Sequence, residues 1–209
     1  EINNVKKSFN NIKVLDGVTL SISKGEIYGL LGLNGSGKTT LMKIILGLIK
    51  KDFGEIKVKG SIMHDLETPK KVGAVIEYPA FYEYLDAKRN LFIFSELYDV
   101  PKTRVSDVLK LVGLDVNDKK KVKNYSMGMK QRLVIAQAIM EKPDVIMLDE
   151  PTNGLDEAGI KEIRKLIEQE KERGALILLA SHNQEDMKIL ADQVYKIADG
   201  RIERKGTEL

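Results

Sequence analysis

Gly32-Leu33-Asn34-Gly35-Ser36-Gly37-Lys38-Thr39 is the stretch of this chain with the most specific chemistry. Its spacing, G-x-x-x-x-G-K-[ST], suits the wrapping of a polyphosphate tail. Glycines let successive backbone N–H groups turn toward an anion, and a helix starting where the loop ends adds partial positive charge. The Lys38 ammonium can reach the β- and γ-phosphates of a nucleotide such as ATP, and the Thr39 hydroxyl can hold Mg²⁺. Asn34, Gly35, Ser36, Gly37 and Thr40 complete the expected cradle. A second stretch, Val145-Ile146-Met147-Leu148-Asp149-Glu150, is an apolar run ending in two acids. In α/β sheets ligands sit beyond the carboxyl ends of the strands. Asp149 is thereby expected to hold Mg²⁺ through water, and Glu150 to orient or deprotonate an attacking water. Alone, two acids after a strand are an ordinary turn. Downstream of a phosphate cradle they mark a nucleoside triphosphatase.

The elements that must position these residues can be read from the same pattern. Strands are predicted over Ile2–Phe9, Val14–Ser21 and Ile27–Leu31, with turns at Asn10–Asn11 and Lys24–Gly25. A helix is predicted over 38–49, then strands near Glu55–Val58 and Gly73–Ile76. Residues 81–141 change character: helices are predicted near Asp86–Tyr98, Lys102–Val112 and Met127–Glu141, broken by Pro101 and Gly113. After Pro143 the alternation resumes: strand Val145–Asp149, helix Asp156–Arg173, strand Ala175–Ser181, helix Asn183–Ala191, and a hairpin of Gln193–Ile197 and Arg201–Lys205. Apolar strands separated by helices imply a parallel sheet covered on both faces. The expected fold is α/β: a P-loop NTPase core with a mostly parallel sheet, an N-terminal antiparallel β subdomain and an inserted helical subdomain. One domain spans 1–209, with 1–80 and 142–209 forming the core and 81–141 the helical lobe.

Bulk properties narrow the class. Of 209 residues, 43 % are hydrophobic and 31 % charged, an ordinary globular balance. The absence of cysteine excludes disulfides and thiolate chemistry and fits a reducing compartment. A net charge of +3 gives little electrostatic reason to expect a nucleic-acid partner. The lysine-rich Lys119–Lys123 run reads as a solvated loop. No apolar run approaches the roughly 20 residues that cross a bilayer, and no secretory leader is expected.

Tyr125-Ser126-Met127-Gly128-Met129-Lys130-Gln131-Arg132 makes the assignment sharper. A serine hydroxyl and free N–H groups at a helix start form an anion site, although a serine cap alone is an ordinary helix start. The segment resembles the signature of ABC ATPases, commonly Leu-Ser-Gly-Gly-Gln. Ser126 and Gly128 match, whereas Tyr125, Met127 and Met129 depart. Other family positions follow in order, and the resemblance covers essentially the whole chain. Asn153-Gly154-Leu155-Asp156 resembles the D-loop, and Asp156 is expected at the nucleotide. His182, at the end of an apolar run, matches the switch histidine that contacts the γ-phosphate. Phe9, 29 residues before Lys38, matches the aromatic that stacks on adenine, with Val14 beside it. For Phe9 and Val14 a place in the core is the open alternative.

The resemblance implies an ATP- and Mg²⁺-dependent ATPase in which Lys38, Glu150 and His182 are catalytic. It implies a head-to-tail dimer, with Ser126 and Gly128 of one copy clamping the γ-phosphate held by the other. It also implies an integral membrane permease as partner and a cytoplasmic location on the inner face of the membrane, with no nucleic acid. The second ATPase could be the same chain or a different one. Aromatic Tyr78, Phe81, Tyr82 and Tyr84 are expected either to dock the permease or to pack in the core. Glu77 stands where most of the family has glutamine, and is expected to ligate Mg²⁺. With Ile76–Tyr82 and the signature taken together, the chain resembles the ATPases of bacitracin export and lantibiotic self-protection, which implies an antimicrobial peptide or drug as cargo. Two rival readings are a soluble ABC ATPase acting on ribosomes or DNA and a non-hydrolysing nucleotide switch. The first lacks a second ATPase half or long coiled coil here, and the second conflicts with an intact Lys38, Asp149, Glu150 and His182.

Overall fold

The computed structural model describes residues 1–58, 60–76 and 81–205. Two sheets organise it. The smaller is antiparallel, in the order β2 (Ile12–Leu20), β1 (Ile2–Phe9), β4 (Phe53–Val58) and β5 (Ser61–Ile62). The larger runs β10 (Arg201–Lys205), β9 (Gln193–Ala198), β3 (Ile27–Leu31), β8 (Leu176–Ser181), β7 (Val145–Asp149) and β6 (Val72–Val75). Its pairs are parallel except β9–β10, the closing hairpin.

Strands β3 and β8 are buried at every residue, as a parallel sheet covered on both faces requires. Their side chains divide by the period of two. Ile27, Ile146, Leu148, Ile177 and Leu179 enter a core shared with the helical lobe. Tyr28, Leu30, Met147, Leu178 and Ala180 enter a second core, which also takes Leu41, Ile44 and Ile45 of α1 (Lys38–Ile45) and Ile2, Val5 and Val18 of the small sheet. The large sheet is thus the partition between two cores.

The helical lobe contains α2 (Ala87–Leu97), α3 (Lys102–Leu111) and α4 (Met127–Ala138). Helices α5 (Glu157–Glu172) and α6 (Gln184–Leu190) flank the final parallel strands. Two predicted helices end early. α1 stops at Ile45 rather than 49, because Gly47 takes φ +70° and turns the chain. α4 stops at Ala138 rather than Glu141, where Arg104 of α3 donates to the Ile139 and Met140 carbonyls and closes the end. The Lys119–Lys123 run is not wholly a solvated loop: Val122 is buried and starts a 3-10 turn, its N–H bonded to the Leu85 carbonyl. The lobe and the sheet approach closely at Gly73, where a Cβ would stand 1.9 Å from the Ala138 carbonyl oxygen.

Candidate nucleotide site

Three adjacent strands, β3, β8 and β7, end together. Leu31 pairs with Ser181 and Ala180 pairs with Asp149, so the chain segments that leave them begin side by side. These segments carry the cradle, His182, and the Asp149–Glu150 pair. A cavity at this edge is lined by Asn34, Gly35, Ser36, Gly37, Lys38, Thr39, Thr40, Asp149 and Glu150. The structure therefore gathers the predicted cradle residues 34–40 with Asp149 and Glu150 in one wall.

The cradle geometry follows from its sequence. Gly37 takes φ +105°, and a Cβ there would meet the Val14 carbonyl oxygen at 2.9 Å. Only glycine suits that combination. The loop then enters α1 directly at Lys38, leaving the first-turn N–H groups free of intrahelical partners. Lys38 is buried, and its ammonium donates to the carbonyls of Gly32 (2.6 Å) and Leu33 (3.2 Å). The Ser36 hydroxyl is buried without a hydrogen-bond partner, as expected of a group meant to meet an anion. These features fit a triphosphate. Thr39 Oγ1 donates to Asp149 Oδ2 at 2.5 Å, bringing a hydroxyl and a carboxylate oxygen together. This hard-oxygen pair fits Mg²⁺, which takes one or two carboxylates and completes its shell with phosphates and water.

Glu150 is held from several sides. Its backbone sits at φ +50°, and its N–H donates to the Ala180 carbonyl at 2.8 Å. Oε1 accepts from the His182 N–H at 3.0 Å and lies 2.8 Å from His182 Nδ1. Oε2 accepts from Ser181 Oγ at 3.0 Å. The imidazole is half-exposed and the carboxylate mostly buried; Glu150 lines the cavity, whereas His182 reaches it only through Glu150.

A second cleft shares Gly35, Ser36 and Asn34 with the first. It is walled by Ile12, Lys13, Val14, Leu33 and the Lys196–Gly200 turn. Val14 is half-buried here. Phe9 is 43 % exposed at the end of β1, with the Lys7 ammonium 5.1 Å from its ring centroid, so it is not a core residue. Ile12 is 69 % exposed, and sequence reasoning did not single it out.

Ser126 caps α4, its hydroxyl accepting from the Met129 N–H at 3.2 Å, and is exposed. Gly128 lies against Gly154 and Leu155: a Cβ there would come within 3.2 Å of the Gly154 carbonyl oxygen. Tyr125 is buried in the lobe, and burial pushes its phenol up from its ordinary value. Among the described residues the phosphate cavity is not lined by Ser126 or Gly128. Asp156 caps α5 by accepting from the Gly159 N–H at 2.9 Å. Of the aromatics, Phe81 packs on the core and against Phe94, whereas Tyr82 and Tyr84 are exposed and pair edge-on. Glu77 and Tyr78 lie outside the described residues.

Sequence reasoning missed Ser181, although it immediately precedes His182, and Gln131. The buried Gln131 amide donates to the carbonyls of Pro151 (3.2 Å) and Glu150 (3.4 Å), tying α4 to the loop that follows β7. No helix among the described residues is long and apolar enough to cross a membrane.

Comparison with known proteins identifies the family and the fold. The ABC transporter family pattern matches residues 15–153. The chain is 43 % identical over 205 residues to the ABC transporter ATP-binding protein YybJ of Bacillus subtilis (strain 168), covering 97 % of this chain and 94 % of that protein. It is 40 % identical over 202 residues to the lantibiotic transport ATP-binding protein SrtF of Streptococcus pyogenes, covering 97 % and 88 %. It is also 40 % identical over 200 residues to the bacitracin transport ATP-binding protein BcrA of Bacillus licheniformis, covering 94 % of this chain but 65 % of that protein. Among solved structures, an ATP-binding subunit of an ABC transporter superposes with a TM-score of 0.88 at 27 % identity, over 99 % of this chain and 89 % of that one. The fold is also that of the cassette MJ0796, solved as a dimer in a post-hydrolysis state bound to ADP and Pi: TM-score 0.88, 24 % identity, 100 % and 98 % coverage. The chain belongs to the ABC transporter ATP-binding family and is an ATPase.

Proposed function

We propose that this chain is the ATP-hydrolysing motor of a membrane exporter, working as a head-to-tail dimer. The observation that carries the reading is the division of the site. Lys38, Thr39, Asp149 and Glu150 share one cavity, while the exposed Ser126 cap lies outside its wall, available to a second copy. The cradle N–H groups, Lys38 and Ser36 bind the triphosphate. Thr39 and Asp149 would hold Mg²⁺, with Glu77 as the further ligand that the family resemblance implies. Bound there, the metal would supply charge neutralisation to the phosphates. Glu150 accepts the proton of the attacking water, and His182 orients Glu150 and contacts the γ-phosphate. Ser126 and Gly128 of the second copy complete the shell of donors around charge that develops in the transition state. Phe9, Val14 and the cleft beside them receive the adenine, and Asp156 lies at the dimer seam. Loss of the bridging γ-phosphate then favours opening, a ligand-driven population shift.

The relatives named for lantibiotic and bacitracin transport support an antimicrobial peptide or drug as cargo. The exposed Tyr82–Tyr84 pair supports docking to a membrane permease, since aromatic residues are enriched in interface cores. The working location is then the cytoplasmic face of the membrane. The test is co-purification from detergent-solubilised native membranes, with the associated chains identified by mass. A stoichiometric multi-span membrane protein is expected. Recovery of the ATPase with no membrane-embedded chain would overturn the exporter reading.

A further inference from the structure

We propose that Thr152, Asp186 and Arg164 form a buried positioning unit that holds the Glu150 loop against the helix that follows His182. It rests on the reading of Glu150 as the general base. Thr152 stands two residues after Glu150, and its hydroxyl donates to Asp186 Oδ2 at 2.6 Å. Asp186 is fully buried on α6, four residues after His182. Its other oxygen, Oδ1, accepts from both Arg164 Nε at 2.9 Å and Nη2 at 2.7 Å, two charge-assisted bonds on one atom. Arg164 is on α5, which begins where the loop after Glu150 ends, and its remaining Nη1 reaches Glu185 at 3.4 Å. One buried carboxylate thus joins three chain segments.

Two considerations make this a device of geometry rather than a source of stability. A buried ion pair costs desolvation that its own attraction barely offsets, and apolar replacements of similar shape are often no worse for stability. What such a pair fixes is orientation. Glu150 gains from this, because its backbone lies at φ +50°, a region that non-glycine residues populate sparsely. The loop is held from both sides: Gln131 grips the Glu150 and Pro151 carbonyls, and Asp186 grips the Thr152 hydroxyl. Thr152, Asp186 and Arg164 do not line the phosphate cavity, so they are positioning residues that act through Glu150.

The test is a double-mutant cycle on the full chain with ATP–Mg²⁺. Thr152→Val keeps the shape and removes the hydroxyl, and Thr152→Ser keeps the hydroxyl. We expect Thr152→Val to lower kcat about tenfold while KM for ATP stays within about twofold, and Thr152→Ser to restore kcat to within about twofold. In a Glu150→Gln background, Thr152→Val should change the residual single-turnover rate by less than about twofold, because the group it positions is gone. A wild-type rate for folded Thr152→Val, or an equal loss in both backgrounds, would overturn the inference. If Thr152→Val does not fold, Asp186→Asn serves instead with the same expected loss, and wild-type turnover by that folded variant is equally fatal. A wild-type chain that binds ATP without hydrolysing it would instead sink the role of Glu150 itself.

Discussion

Glu150→Gln places an amide nitrogen at a point where three donors converge on two oxygens. Oε1 receives the His182 N–H at 3.0 Å and faces Nδ1 at 2.8 Å, while Oε2 receives Ser181 Oγ at 3.0 Å. The amide oxygen can keep the His182 side. The new NH₂ then faces Ser181 Oγ, which can accept it once the hydroxyl hydrogen rotates away. The folded state therefore loses about one charge-assisted bond, and stability should fall by about 1.5–3 kcal/mol. Catalysis loses more. General-base assistance is worth about 10²–10⁴-fold, or about 2.7–5.4 kcal/mol of barrier. Phosphate release at saturating ATP should fall by that factor, with nucleotide affinity within a few-fold of wild type. A folded variant whose kcat stays within about threefold would refute Glu150 as the base.

Two further outcomes follow from the same geometry. Ser126→Arg puts a bulky cation at the exposed cap of α4, away from the phosphate cavity of its own chain. It should leave nucleotide affinity of the monomer nearly unchanged and abolish ATP-induced dimerisation in light scattering; undiminished dimerisation would contradict the sandwich. Gly73→Ala drives a Cβ to 1.9 Å from the Ala138 carbonyl oxygen, backbone against backbone. It should cost about 1–3 kcal/mol in chemical denaturation, and a variant as stable as wild type would show that the lobe and sheet can separate there freely.

Much of this architecture was legible because the decisive elements are local patterns. The cradle is eight consecutive residues, and β3, β7 and β8 are continuous apolar runs that a doubly covered parallel sheet demands. The errors lie where distant residues decide. The end of α4 depends on Arg104, reaching over from α3, and the burial of Val122 depends on the Leu85 carbonyl. Apolar Leu48 and Ile49 continue the helical pattern of α1, but Gly47 turns the chain before them. Ser181 and Gln131 were illegible as partners of Glu150, since their contacts exist only after β7 and β8 pair and α4 docks. Buried Asp186 reads in sequence as an ordinary acidic residue in the first turn of a helix. Phe9 could be read two ways, and its exposure removes the core alternative.

The central claim, that two copies complete each other's sites, has a direct measurement because the chain has no native cysteine. Single cysteines replace Asn34 in the cradle loop and Met127 beside Ser126, both exposed, in two separately tagged copies of a Glu150→Gln background. A short bis-maleimide is added with and without ATP–Mg²⁺. An ATP-dependent cross-link between the two tags is predicted. Equal cross-linking with and without nucleotide, or none in either state while ATP is bound, would contradict the shared site.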